Sequence, residues 1–190
     1  MDALLASTAV VALAEIGDKT MLLAILLAAR FRKPLPIILG ILAATLVNHA
    51  LAALLGRSVA GLLESEGFRF AVGAGFILMA LWTLVPDTID DDEAAGSSRH
   101  GAFLTTLVAF FLVEIGDKTQ IATIALGAQF ESVLAVTAGT TLGMMLANVP
   151  AVFLGEAVTR VVPLKYVRMG AAVVFALIGV WVLLATYKIL

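Results

Sequence analysis

The sequence predicts an all-α polytopic membrane protein: six transmembrane helices built as two inverted three-helix repeats. Three observations predict it. First, 62% of the residues are hydrophobic, only 14% are charged, and the mean hydropathy is +1.08, far from the balance of a water-soluble domain. Second, the hexapeptide EIGDKT at 15–20 recurs letter for letter at 114–119, each copy inside a hydrophobic run. Third, adding 99 to a residue number in the first half finds its counterpart in the second without a gap: Glu15 and Glu114, Phe31 and Phe130, Gly40 and Gly139, Gly56 and Gly155, Arg69 and Arg168, Phe76 and Phe175, Trp82 and Trp181. A repeat of this kind decides the architecture. Each unit carries three spans, an odd number, so the second unit enters the membrane in the opposite sense to the first.

The first span is expected over 3–29, ending at Arg30, Arg32 and Lys33 before Pro34 and Pro36. At about 1.5 Å per residue it is long enough to cross roughly 30 Å of hydrocarbon. No Lys or Arg precedes residue 19, so this run reads as a retained span rather than a cleavable signal peptide. The second span is expected over 35–55, followed by a polar turn with Arg57, Glu64, Glu66 and Arg69, and the third over 70–85, stopped by Pro86. Spans four, five and six are expected over 102–128, 133–154 and 169–190, with Glu156, Arg160, Pro163, Lys165 and Arg168 between the last two. The domain reading is thus 1–86 for the first repeat, 87–100 for an acidic linker and 101–190 for the second repeat. The linker DTIDDDEAAGSSRH lacks the spacing of a calcium loop and reads as a solvated connector.

Lys and Arg in short loops set orientation. Arg30, Arg32, Lys33, Arg99, Arg160, Lys165 and Arg168 fall on one side; Arg57, Arg69 and Lys188 fall on the other. Loops 1–2, 3–4 and 5–6 are therefore expected in the cytoplasm and both termini outside, as in a bacterial inner-membrane protein.

The motif places Glu15, Asp18, Glu114 and Asp117 at membrane depth, where each carboxylate costs about 2.5–3.5 kcal/mol on insertion scales and marks a functional site. On a continuous helix, residues three apart share a face, so each copy would present its two carboxylates side by side. Gly17 and Gly116 remove a side chain where a backbone or ion comes close, or let the helix break. Lys19 and Lys118, four residues after each Glu, offset two of the four acids. The remaining two negative charges match one divalent cation or two protons, which makes exchange between them natural. Further ligand or gating candidates are Thr20, Thr119, Gln120, His49 and its counterpart Asn148, whose neighbour Pro150 frees the carbonyl of Leu146. Asn48, Gln129 and Glu131 read as structural or interfacial. With no cysteine, any metal is held by oxygen and at most an imidazole, which selects magnesium, calcium or manganese. An imidazole ligand would favour manganese.

These residues resemble the small cation/proton exchanger family that includes MneA-type bacterial manganese exporters and Golgi relatives. The likeness rests on the doubled ExGDKT signature, the acidic central loop and the length, and it covers the whole chain. It implies a secondary transporter exporting a divalent cation, manganese first, in exchange for protons. Carried over by position, the essential acids are Glu15, Asp18, Glu114 and Asp117, with Lys19, Thr20, Lys118 and Thr119 completing the signatures. A calcium/proton antiporter or a passive cation channel are the alternatives. No enzyme is expected: two identical carboxylate pairs lack the unlike roles of an acid/base pair, and no nucleophile accompanies the intramembrane His49. The expected partners are the lipid bilayer, the transported cation and protons, with no cofactor and no nucleic acid; the oligomeric state is left open.

The charge bias yields a first prediction. A cysteine at Ser97, introduced into this cysteine-free chain, should react with impermeant thiol reagents in inverted vesicles but not in intact cells.

Overall fold

The computed structural model of the chain describes residues 1–85, 101–130, 132–154 and 164–187, so Pro86, the acidic linker, Glu131, residues 155–163 with Glu156, Arg160 and Pro163, and Lys188 lie outside the described residues. Among the described residues the fold is all-helical, with eight α-helices. They are α1 (Asp2–Glu15), α2 (Lys19–Phe31), α3 (Pro34–Ser58), α4 (Glu66–Thr83), α5 (Gly101–Glu114), α6 (Lys118–Phe130), α7 (Val133–Leu154) and α8 (Leu164–Thr186). A short 3₁₀ turn, Ala60–Glu64, joins α3 to α4.

Three segments, Pro34–Ser58, Val133–Leu154 and Met169–Thr186, are long and apolar enough to cross a membrane. The expected continuous spans 3–29 and 102–128 are each broken in two. The break falls within both copies of the motif, at Ile16–Gly17–Asp18 and at Ile115–Gly116–Asp117. The cause is local. Gly17 and Gly116 take φ of 86° and 80°, a region that residues with a Cβ rarely occupy. The chain leaves the helix after the Glu and re-enters it with the Asp at the N-cap. Glu15 and Asp18 therefore do not share a helix face, and the expected i,i+4 pairing of Glu15 with Lys19 does not form, because a helix end separates them.

Helices of one half pack mainly against helices of the other: α1 lies on α7, α3 on α5 and α6, and α4 on α8. Small residues permit the close crossings. A Cβ on Gly40 would stand 2.8 Å from both the Phe103 carbonyl oxygen and the Thr106 Cβ; one on Gly139 would stand 2.5 Å from the Leu4 oxygen and 2.8 Å from the Ser7 Cβ. Exchanging the halves, with 99 added to Gly40 and subtracted from Phe103 and Thr106, turns the first contact into the second. Phe76 and Phe175, also counterparts, meet each other with ring centroids 6.3 Å apart. Contacts that recur with the halves exchanged are the isologous pattern of a two-fold relation. Large apolar side chains such as Leu51, Leu78, Leu112, Leu146 and Leu177 face outward, as hydrocarbon contact requires.

The crossings predict a pair of matched defects. Gly40→Ala and Gly139→Ala should each destabilise the detergent-solubilised protein by about 1–3 kcal/mol, the cost of overpacking. Gly75→Ala, where a Cβ meets nothing within 4 Å, should leave the melting temperature unchanged or raised.

Candidate metal centre

The two breaks face each other between α3 and α7 and bring the motif acids together in the interior. Glu15 and Glu114 are fully buried, and Asp18 and Asp117 are 3% and 2% exposed. Glu15, Glu114 and Asp117 each place a carboxylate oxygen within 4.8 Å of the others. Two ligand atoms on opposite sides of one octahedral ion are separated by about 4.2 Å for magnesium and up to about 5 Å for calcium, so this cluster has the width of a single cation site. Asp18 is not in that trio; its Oδ1 accepts a hydrogen bond from Lys118 Nζ at 3.1 Å.

The lysines cross between the halves. Lys118 of the second motif pairs with Asp18 of the first, and Lys19 of the first lies 3.6 Å from Asp117 of the second. The two bridges are counterparts but not equals. Lys118 is buried, with its ammonium 5.6 Å from the ring centroid of Trp82, whereas Lys19 is 22% exposed. Trp181, the counterpart of Trp82, instead lines an outer apolar groove of about 170 Å³ with Val10, Phe76 and Leu126. That groove holds none of the motif acids.

The expected auxiliary residues fall around the glutamates in the same mirrored fashion. Thr20 Oγ1 donates to Glu15 Oε2 at 2.5 Å, and Thr119 Oγ1 donates to Glu114 Oε2 and Asp117 Oδ2, both at 3.2 Å. The threonines thus orient carboxylates as hydrogen-bond donors, the role of a ligand's supporting partner. The Thr119 backbone N–H also donates to Asp117 Oδ2 at 3.3 Å, so Asp117 caps α6. Asn148 Nδ2 reaches Glu15 Oε2 at 3.4 Å and also donates to the Met144 carbonyl at 3.1 Å. His49 Nε2 stands 3.7 Å from Glu114 Oε2. Glu15 Oε1, Glu114 Oε1 and Asn148 Oδ1 are buried without a hydrogen-bond partner among the described residues, a costly arrangement for an apolar interior and a suitable one for a cation.

Other candidates lie elsewhere. Gln120 Oε1 accepts from the Gly116 backbone N–H at 2.8 Å, so it braces the second break. Pro150 and Leu146 both present exposed side chains, which puts the proline on the outer face of α7, away from Asn148. Asn48 Nδ2 donates to the Phe111 carbonyl at 3.1 Å, tying α3 to α5. The crossing of the lysines escaped the sequence reading. It had a signal, since a helix interrupted by Gly carries its Lys away from its own Glu, but only the opposing break supplies the partner.

A buried ion pair that loses one member costs about 3–5 kcal/mol. Lys118→Met should therefore lower stability by that order, and Lys19→Met, partly solvated, by less. Adding Asp18→Asn to Lys118→Met should recover part of the loss, read as melting temperatures in detergent around a double-mutant cycle.

The comparisons with known proteins agree with one another. The profile of the divalent cation/proton antiporter GDT1 family matches residues 3–91 and 102–189. A Vibrio cholerae protein named as a candidate manganese exporter is 50% identical over 180 residues, covering 94% of this chain and 89% of the relative. GDT1-like protein 3 of Oryza sativa is 28% identical over 199 residues, covering 92% of this chain and 71% of the relative. A GDT1-like protein of Synechocystis is 28% identical over 200 residues, covering 95% and 96%. No solved structure matches the chain. With both halves of the sequence matched and the doubled motif intact, the chain belongs to the GDT1 family of divalent cation/proton antiporters.

Proposed function

We propose that this chain exports manganese across the bacterial inner membrane in exchange for protons, with Glu15, Glu114 and Asp117 holding the ion. The observation that carries the reading is the convergence of these three buried carboxylates from two mirrored helix breaks, each pair of ligand oxygens within 4.8 Å. The name of the Vibrio cholerae relative favours manganese over calcium as the cargo.

The distribution of charge supports exchange. Each aspartate has a lysine opposite it, Asp18 with Lys118 and Asp117 with Lys19, so the uncompensated charge rests on Glu15 and Glu114. Two negative charges in a water-excluded site are tolerated when a divalent ion or two protons are present. The return step of the cycle then carries protons on the same glutamates. In this reading the lysines act as tethered cations that steady Asp18 and Asp117 when the ion departs.

The contacts that recur with the halves exchanged support alternating access. We read the chain as six spans in two inverted repeats, with the ion site midway and the broken helices forming its floor and roof. The unlike bridges support it: the Lys118–Asp18 bridge is buried beneath Trp82, while Lys19 beside Asp117 is partly exposed. A mirrored conformation would bury Lys19 beneath Trp181 and free Lys118. Both termini outside and the 87–100 linker in the cytoplasm complete the arrangement.

The test is transport. Manganese uptake into inverted vesicles should require a proton gradient, and Glu15→Gln and Glu114→Gln should each reduce it to background at normal protein level and melting temperature. Uptake that ignores the gradient would mean a passive pore; full uptake by either variant would remove the carboxylates from the site.

A further inference from the structure

The two halves offer the ion unlike walls. Glu15 and Glu114 are counterparts, as are Thr20 and Thr119, yet α3 presents His49 where α7 presents Asn148. His49 is fully buried, and neither ring nitrogen has a hydrogen-bond partner among the described residues. A histidine that only fills space in an interior has at least one nitrogen bonded, because an orphaned one costs about 1–3 kcal/mol. Its Nε2 lies 3.7 Å from Glu114 Oε2, too long for a hydrogen bond. That separation falls between the two ligand spacings of one octahedral ion, about 3.0 Å for adjacent and about 4.2 Å for opposite atoms each about 2.1 Å from the centre, and it places His49 beside Glu114, next to the trio of carboxylates and not within it.

We infer that His49 Nε2 is a direct ligand of the transported ion and sets its preference for manganese over calcium and magnesium. The inference rests on the carboxylate site proposed above. An imidazole suits first-row transition metals, whereas carboxylates and amide carbonyls bind hard cations with little distinction. At the counterpart position Asn148 offers only an amide, whose Oδ1 has no hydrogen-bond partner among the described residues. Thus the first half supplies nitrogen and the second half oxygen. Removing the imidazole leaves a site of oxygens alone, able to bind a cation but without the means to choose among them.

The test reads the metal itself. Purified protein carrying Mn²⁺ is measured by pulsed electron paramagnetic resonance, with the chain grown on unlabelled or ¹⁵N-labelled histidine. A nitrogen coupling that changes isotope with the histidine label, and that persists in His100→Asn, is expected. His49→Asn should lose it and lower the manganese-to-calcium affinity ratio by about 10-fold or more, the scale on which ligand surroundings act. Bound manganese in the parent protein with no histidine coupling would overturn the inference whether or not any variant folds, as would an unchanged affinity ratio in His49→Asn. Glu15→Gln separates the two layers: if it abolishes manganese binding while histidine coupling is absent from the parent, the carboxylate site stands and His49 alone is removed from it. If Glu15→Gln leaves binding intact, both fall.

Discussion

Burying four carboxylates among hydrocarbon-facing helices is the constraint on which the rest of this structure depends. The answer is a pair of crossed bridges, Lys118 to Asp18 and Lys19 to Asp117, each joining one half of the chain to the other. A lysine bonded within its own motif would neutralise its own half and leave the halves indifferent to each other. Crossing makes each motif incomplete alone, since removing the opposite lysine takes the counter-charge from a buried aspartate. The same bridges that make burial tolerable therefore hold the two breaks face to face.

The breaks serve the same end. A continuous helix would consume every backbone group in its own ladder and present the motif acids along one side. Interrupting it at Gly17 and Gly116 turns the glutamates and aspartates onto separate helix ends. Each aspartate then lies at the N-terminus of a half-helix, where a negative charge is favoured. Each glutamate closes the preceding half-helix, whose C-terminal end is the favourable one for a cation. Thr20 and Thr119 hold the glutamates in place by hydrogen bonds.

Departures from the two-fold pattern occur around the acids too. Packing contacts such as Gly40 on Thr106 and Gly139 on Ser7 repeat with the halves exchanged. Around the acids the pairs differ: His49 against Asn148, and Thr45 against Met144 one turn earlier on the same helices. Lys118 beneath Trp82 and the partly exposed Lys19 differ in environment although their sequences are the same. The first kind of difference is chemical and permanent, fitting a choice of ion. The second is conformational, and under the proposed exchange it reverses in each cycle.

The sequence by itself determined the class of the protein, its duplication and the identity of the acids. Hydropathy, an ungapped shift of 99 and a repeated hexapeptide are one-dimensional signals, and they survive without any knowledge of packing. It also showed that glycine in the motif allows a break, but not that the break occurs, because helix propensity and a helix's end are separated by only about 1 kcal/mol at a glycine. Tertiary structure decided the rest. Whether Lys19 answers Glu15 four residues back or Asp117 across the interface depends on which carboxylate approaches within a few ångströms after the halves dock. Likewise Thr20 and Thr119 became donors to glutamates, Gln120 a brace for Gly116, and Pro150 an outward-facing residue. Partners distant in the chain are set by the burial of surfaces against one another, and no local pattern encodes that distance.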